Sequence, residues 1–167
     1  MLVFTAMAQK RILIVWHSRT GASEALAGAA AKGAGEGACL IRAEDTQPND
    51  LLSSGAYLFV CPENLAAMSG MMKDMFDRCY YPVLGKIEGR AYATIIAAGS
   101  DGENAQRQID RIATGWRLRR VAEPMIVNSG AQTADEILAA KTVATSSIGE
   151  AKQVGAAMFH GLELGLF

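Results

Sequence analysis

A chain of 167 residues is most economically one domain, large enough to bury roughly 70% of its unfolded surface. A formal net charge of −1 offers no basic field for nucleic acid or an anionic membrane. Half of the residues are hydrophobic, but they fall in segments too short to span a bilayer, so neither nucleic acid nor membrane is expected as a partner.

The three cysteines, Cys39, Cys61 and Cys79, lack metal-ligand spacing, and their odd number fits a reducing, cytoplasmic compartment. His17 and His160 have no carboxylate or cysteine at ligand spacing, so no metal is expected. The first residues are mildly apolar without a basic leader, and Met7 is a second candidate start. Residues 1–9 are expected to be a frayed extension and residues 10–167 a single domain.

In chain order, residues 11–16 form an apolar run that predicts a first strand. Ser18-Arg19-Thr20-Gly21-Ala22-Ser23-Glu24 follows, opening an alanine-rich helix over 23–33. A strand, a hydroxyl-rich turn and a helix start suit an anion. The first-turn N–H groups are free, the helix dipole is positive there, and Gly21 permits close backbone approach. The turn lacks the Lys of a P-loop and the glycines of a dinucleotide fingerprint, which favours a small monophosphate. The same residues also fit ordinary capping.

A second strand is predicted over 38–42, a short helix or turn over 45–52, and a third strand over 56–61. Pro62-Glu63-Asn64-Leu65-Ala66-Ala67-Met68-Ser69-Gly70 makes the next loop. A helix over 68–80 follows, with Met68, Met71, Met72, Met75, Phe76 and Cys79 on one apolar face, read as core packing. The fourth strand spans 91–97 and ends in Gly99-Ser100-Asp101-Gly102. The next helix, 104–117, has a capping-box spelling at Ser100 and Glu103. A fifth strand covers 122–127, and a last helix starts at a second capping box, Thr133 to Glu136, and runs to about residue 159.

Strands alternating with helices predict an α/β fold: a doubly wound, five-stranded parallel sheet of order 2-1-3-4-5 in three α/β/α layers. Ligands of such sheets bind beyond the carboxyl ends of the strands, between the first and third. The hydroxyl-rich turn and the loops after the third and fourth strands converge there.

At this point the chain resembles a family. Ser18 to Ser23 look like the phosphate loop of flavodoxins and the small flavin reductases of the same fold. Pro62-Glu63-Asn64, with Met68-Ser69-Gly70-Met71-Met72-Lys73 and Phe76-Asp77-Arg78, resembles the second flavin loop and its helix in the NAD(P)H-dependent FMN reductase and quinone reductase branch. Gly99-Ser100-Asp101-Gly102 sits where that branch has its third loop.

The resemblance implies a flavodoxin-like domain with noncovalent FMN. Ser18, Thr20, Gly21, Ala22 and Ser23 would carry the phosphate, with Arg19 beside it. Pro62, Glu63, Asn64 and Leu65 would line the ring, and Gly99, Ser100, Asp101 and Gly102 would close the other side. It also implies an oxidoreductase passing electrons from NAD(P)H to a quinone or other small acceptor, with no catalytic side chain required. The alternatives are an electron-transfer flavodoxin, or a domain that has lost flavin and serves protein interaction. Carrier flavodoxins are acidic with aromatics flanking the ring, and this chain shows neither. The basic cluster Arg111, Arg117, Arg119 and Arg120 fits either NADPH attraction or a solvated helix end. The apolar tail, Leu162, Leu164, Leu166 and Phe167, fits either the domain's own surface or a twin subunit, and a homodimer is the favoured reading.

Overall fold

The computed structural model describes residues 9–167; the expected frayed extension lies outside them, except for Gln9, which begins the first strand. Strand β1 (Gln9–Trp16) runs parallel to β2 (Ala38–Arg42) on one side and β3 (Ser54–Asn64) on the other. β3 carries the two-residue strand β4 (Ala67–Met68) antiparallel at its end, and β5 (Ala91–Ala98) parallel beside it. The outermost position is shared by β6 (Arg119–Arg120) and β7 (Met125–Asn128), both parallel to β5. The main order is therefore the expected 2-1-3-4-5, with β5 fourth and β6 plus β7 fifth.

The single strand expected over 122–127 is instead split. Tyr92 pairs with Arg120 and Ile95 with Met125, so three steps along β5 face five along the outer strand. The surplus residues loop out before Pro124, which has no N–H to give the ladder.

Period-two alternation sends neighbouring strand residues to opposite faces. Ile12, Ile14, Leu58 and Val60 face α1 (Ala22–Ala34) and α6 (Thr145–Glu163). Leu13, Val15, Phe59 and Cys61 face α3 (Gly70–Val83) and α4 (Glu103–Gly115). Met68, Met72, Met75, Phe76 and Cys79 are buried together as the stripe predicts, although Met68 sits in β4 rather than in the helix, whereas Met71 is exposed. The short helix α2 (Pro48–Leu52) lies within the segment expected to form one.

Three helices differ from expectation; the one expected over 68–80 starts at Gly70 and runs on through Pro82 to Val83. The N-cap of α4 is Gly102, not Ser100, and Asp101 Oδ1 accepts the Glu103 N–H at 3.2 Å. The long last helix is broken into α5 (Ala134–Leu138) and α6, separated by residues 139–144. The Thr133 capping box is present, with Glu136 N–H donating to Thr133 Oγ1 at 3.2 Å. In the tail, Leu162 and Phe167 pack against the core, while Leu164 and Leu166 stay exposed.

Candidate functional site

The carboxyl ends of β1, β3, β5 and β7 open on one cavity of about 620 Å³. Its first wall is the turn after β1. Gly21 has φ +99°, in the left-handed region where a side chain is strained, and serves as the N-cap of α1. Its N–H donates to Ser18 Oγ at 3.0 Å, which folds the turn on itself. Ser18, Arg19, Thr20, Ala22 and Ser23 line the cavity. Ser23 is buried, yet its Oγ has no hydrogen-bond partner. A buried hydroxyl left open costs about 1–3 kcal/mol, so this side chain has hydrogen-bonding capacity to give a polar ligand.

The second wall is a tight hairpin. Glu63 pairs with Met68 and Asn64 with Ala67, leaving Leu65 and Ala66 as a two-residue turn. Both have positive φ, 51° and 59°, as a type I′ turn demands, although neither is Gly or Asn. Asn104 Nδ2 holds the turn by donating to the Ala66 carbonyl at 2.6 Å, and the Met68 N–H donates to Gln108 Oε1 at 2.9 Å. The Leu65 side chain stands fully in solvent at the cavity rim.

The third wall is latched to the second: the Gly102 N–H donates to Glu63 Oε2 at 2.7 Å. Pro62, Glu63, Asn64, Leu65, Gly99 and Ser100 line the cavity, whereas Gly21, Asp101 and Gly102 are not among the lining residues. Those three shape the loops. A Cβ at Gly102 would meet Ile126 Cγ2 at 2.7 Å, and φ there is +93°.

A fourth wall has no counterpart among the expected site residues. Asn128 at the end of β7, Ser129 and Ala131 after it, then Lys141, Thr142 and Ser147 in and beyond the strap between α5 and α6, face the same space. The strap is pinned at Lys141, whose N–H donates to the Thr20 carbonyl at 2.8 Å. Its ammonium donates to the carbonyls of Glu136 and Ala139 at 2.6 Å and of Ile137 at 3.0 Å. Asn128-Ser129-Gly130 at a strand end was a readable signal for this wall; Thr142 and Ser147 had none.

Burial shifts two titratable groups next to the site. Burial pushes the Cys61 thiol up to about 12, so it stays protonated. Burial also lowers the His17 pKa, opposed by the Glu44 carboxylate. The basic cluster lies away from the cavity. Arg119 and Arg120 pair with Ala91 and Tyr92 at the start of β5, Arg120 bridges to Asp110 at 3.2 Å, and Arg117 lies 3.6 Å from Glu88. Among the described residues, no group of three or more His, Cys, Asp or Glu side chains is placed to hold a metal, and no helix is long and apolar enough to cross a membrane.

No family model and no curated protein matches the chain. Solved structures do. A flavodoxin from the domain Archaea superposes with a TM-score of 0.74 at 16% identity, covering 92% of this chain and 99% of that one. The fold is flavodoxin-like. A flavodoxin, WrbA-like protein from Agrobacterium tumefaciens gives 0.72 at 16% identity, over 92% and 98% of the two chains. An NADPH-quinone reductase from P. pentosaceus gives 0.64 at 11% identity, over 87% and 97%. In this flavodoxin-like sheet the cavity occupies the crevice where the strand order reverses, between β1 and β3.

Proposed function

We propose that the protein is an FMN-dependent oxidoreductase that takes electrons from NAD(P)H and delivers them to a quinone or other small acceptor. The observation that carries this reading is the unpartnered Ser23 hydroxyl beside the uncapped head of α1, on the wall of the cavity. A volume of about 620 Å³ falls within the range of about 300–1,000 Å³ usual for cofactor sites.

The residues present fit the group. Ser18, Thr20 and Ser23 would donate hydroxyls to the phosphate, Arg19 would add charge, and Ala22 would offer its backbone N–H. Pro62, Asn64 and Leu65 would lie along the ring on one side, with Gly99 and Ser100 on the other. Flavin, when bound, supplies the hydride and electron chemistry, leaving the protein to bind, orient and exclude water. The charged side chains at the cavity suit that division. Glu63 is committed to the Gly102 N–H and Lys141 to three carbonyls.

Reductase is favoured over carrier because, among the described residues, no aromatic side chain lines the cavity. A ring held there keeps a face open to a nicotinamide or an acceptor. The names of the structural neighbours, flavodoxin and NADPH-quinone reductase, agree with a flavin but span both roles. The exposed Leu164 and Leu166 leave a homodimer as part of the proposal.

The test is a visible spectrum of the protein saturated with FMN, followed by anaerobic NADH or NADPH. A bound-flavin spectrum bleached by either nicotinamide is expected. A yellow protein that neither bleaches is a carrier, and a protein that takes up no flavin refutes the cofactor.

A further inference from the structure

Two helices begin at the same end of the cavity. α1 and α6 pack side by side in the same direction: Gly155 faces Ala30, Gly33 faces Lys152 and Ala156, and Phe159 lies over Gly37. Lys10 Nζ, at the opposite, amino end of β1, donates to the carbonyl of Glu163, the last residue of α6, at 3.3 Å. Ala22 and Ser23 at the head of α1, and Ala144 and Ser147 at the head of α6, line one space.

Each helix start carries about half a positive elementary charge and up to four N–H groups without intrahelical partners. Two such ends side by side repel unless an anion lies between them. Neither helix supplies one from its own cap. The N-cap residues Gly21 and Ala144 make no side-chain capping bond, α6 has no acidic residue in its first turn, and Glu24 in the first turn of α1 is exposed and does not line the cavity. The strap adds no free cation either, since the Lys141 ammonium is consumed by backbone carbonyls while its N–H ties the strap to Thr20.

An independent observation points to a ligand at this spot. Ser23 is 1% exposed, borders the cavity, and its Oγ has no partner. We propose that the phosphate site is composite: the first turn of α6, through Ser147 Oγ and the Ser146 and Ser147 N–H groups, holds the same phosphomonoester that the α1 turn holds. Naming FMN as that phosphomonoester rests on the function proposed above; inorganic phosphate offers the same chemistry without the ring. The hydroxyls and two helix ends would balance a dianion that meets only one arginine, Arg19, along the cavity lining.

The test is Ser147→Asp, which places a carboxylate in the first turn of α6. The ligand-free variant is expected to melt roughly 1–4 °C higher, because the carboxylate relieves the helix end. FMN is expected to bind about tenfold or more weakly, and inorganic phosphate to lose its stabilising effect. Riboflavin, which has the ring and no phosphate, keeps its affinity. Ser147→Ala removes only the hydroxyl and is expected to weaken FMN by a smaller factor, again sparing riboflavin. FMN affinity unchanged in Ser147→Asp overturns the role of α6 and leaves the flavin reading standing. Equal losses for FMN and riboflavin overturn it too, by showing a change of cavity shape. A wild-type protein that binds neither flavin overturns the flavin reading and this inference together.

Discussion

Alanine at Gly155 sets a backbone preference against a packing constraint on one helix. Gly in a helix interior costs about 0.8–1.0 kcal/mol relative to Ala, so propensity alone favours Gly155→Ala. Gly155, however, faces Ala30 so closely that an added Cβ would lie 2.7 Å from its carbonyl carbon and 2.9 Å from its Cα. These are backbone atoms and cannot rotate away. Restoring an ordinary contact requires α6 to retreat from α1 by about 0.7 Å or more, enough to forfeit a quarter to a half of the dispersion attraction along the seam. Overpacking of this kind costs about 1–3 kcal/mol. The Ala30 carbonyl oxygen lies closer still, which puts the clash at the upper end of that range, so after the offset by propensity the expected net loss is about 2 kcal/mol, or roughly 4–8 °C in Tm. Gly149 on the same helix is the control, since nothing lies within 4 Å of its added Cβ. Gly149→Ala is expected to gain up to about 1 kcal/mol. Urea unfolding followed by circular dichroism reads both. A Gly155→Ala variant as stable as Gly149→Ala would refute the close approach of the two helices.

Three further perturbations probe the site walls. Glu63→Ala releases the Gly102 N–H, held at 2.7 Å, and is expected to cost about 1–2 kcal/mol and speed amide exchange at Gly102, with Glu63→Gln largely restoring both; unchanged exchange in the alanine variant sinks the latch. Replacing Leu65-Ala66 with Asn-Gly suits φ values of 51° and 59° and is expected to add about 1–2 kcal/mol of stability, so a neutral or destabilising result removes the strained turn. His17 is expected to titrate below 6.5 by NMR, because burial penalises its imidazolium, and Glu44→Gln should lower it further by removing the opposing carboxylate. With the folded-state pKa below the unfolded one, the unfolded chain takes the proton first, so stability falls as pH drops below 6.5. A midpoint above 6.5 contradicts this.

The parallel core was legible because strands buried on both faces need near-continuous apolar runs, and β1, β3 and β5 have them. The hydroxyl turn was legible because strand end, Gly and helix start coincide in a few residues. The fourth wall was not. Ala139-Ala140-Lys141 reads as helix, with no Gly or Pro to stop it. The chain leaves the helix there because the Lys141 ammonium caps the last carbonyls of α5 and its N–H is taken by Thr20, a partner distant in sequence. Leu65-Ala66 was equally opaque: the turn is imposed by Asn104 and the β3–β4 pairing rather than by its own residues. The split outer strand did carry a signal, Pro124, whose missing N–H disfavours an uninterrupted ladder.

That interruption also governs how the molecule meets its neighbours. An outer strand with a continuous row of free N–H and C=O groups is a template on which another chain can polymerise. Here the row is cut into pieces of two and four residues, with a prolyl nitrogen just before the second and two exposed arginines forming the first. A second chain arriving at this edge finds too short a run to register and a positive charge to bury. The break therefore shields a highly apolar sheet from edge-to-edge aggregation on its outer side, and leaves side-chain surfaces as the means of any association there.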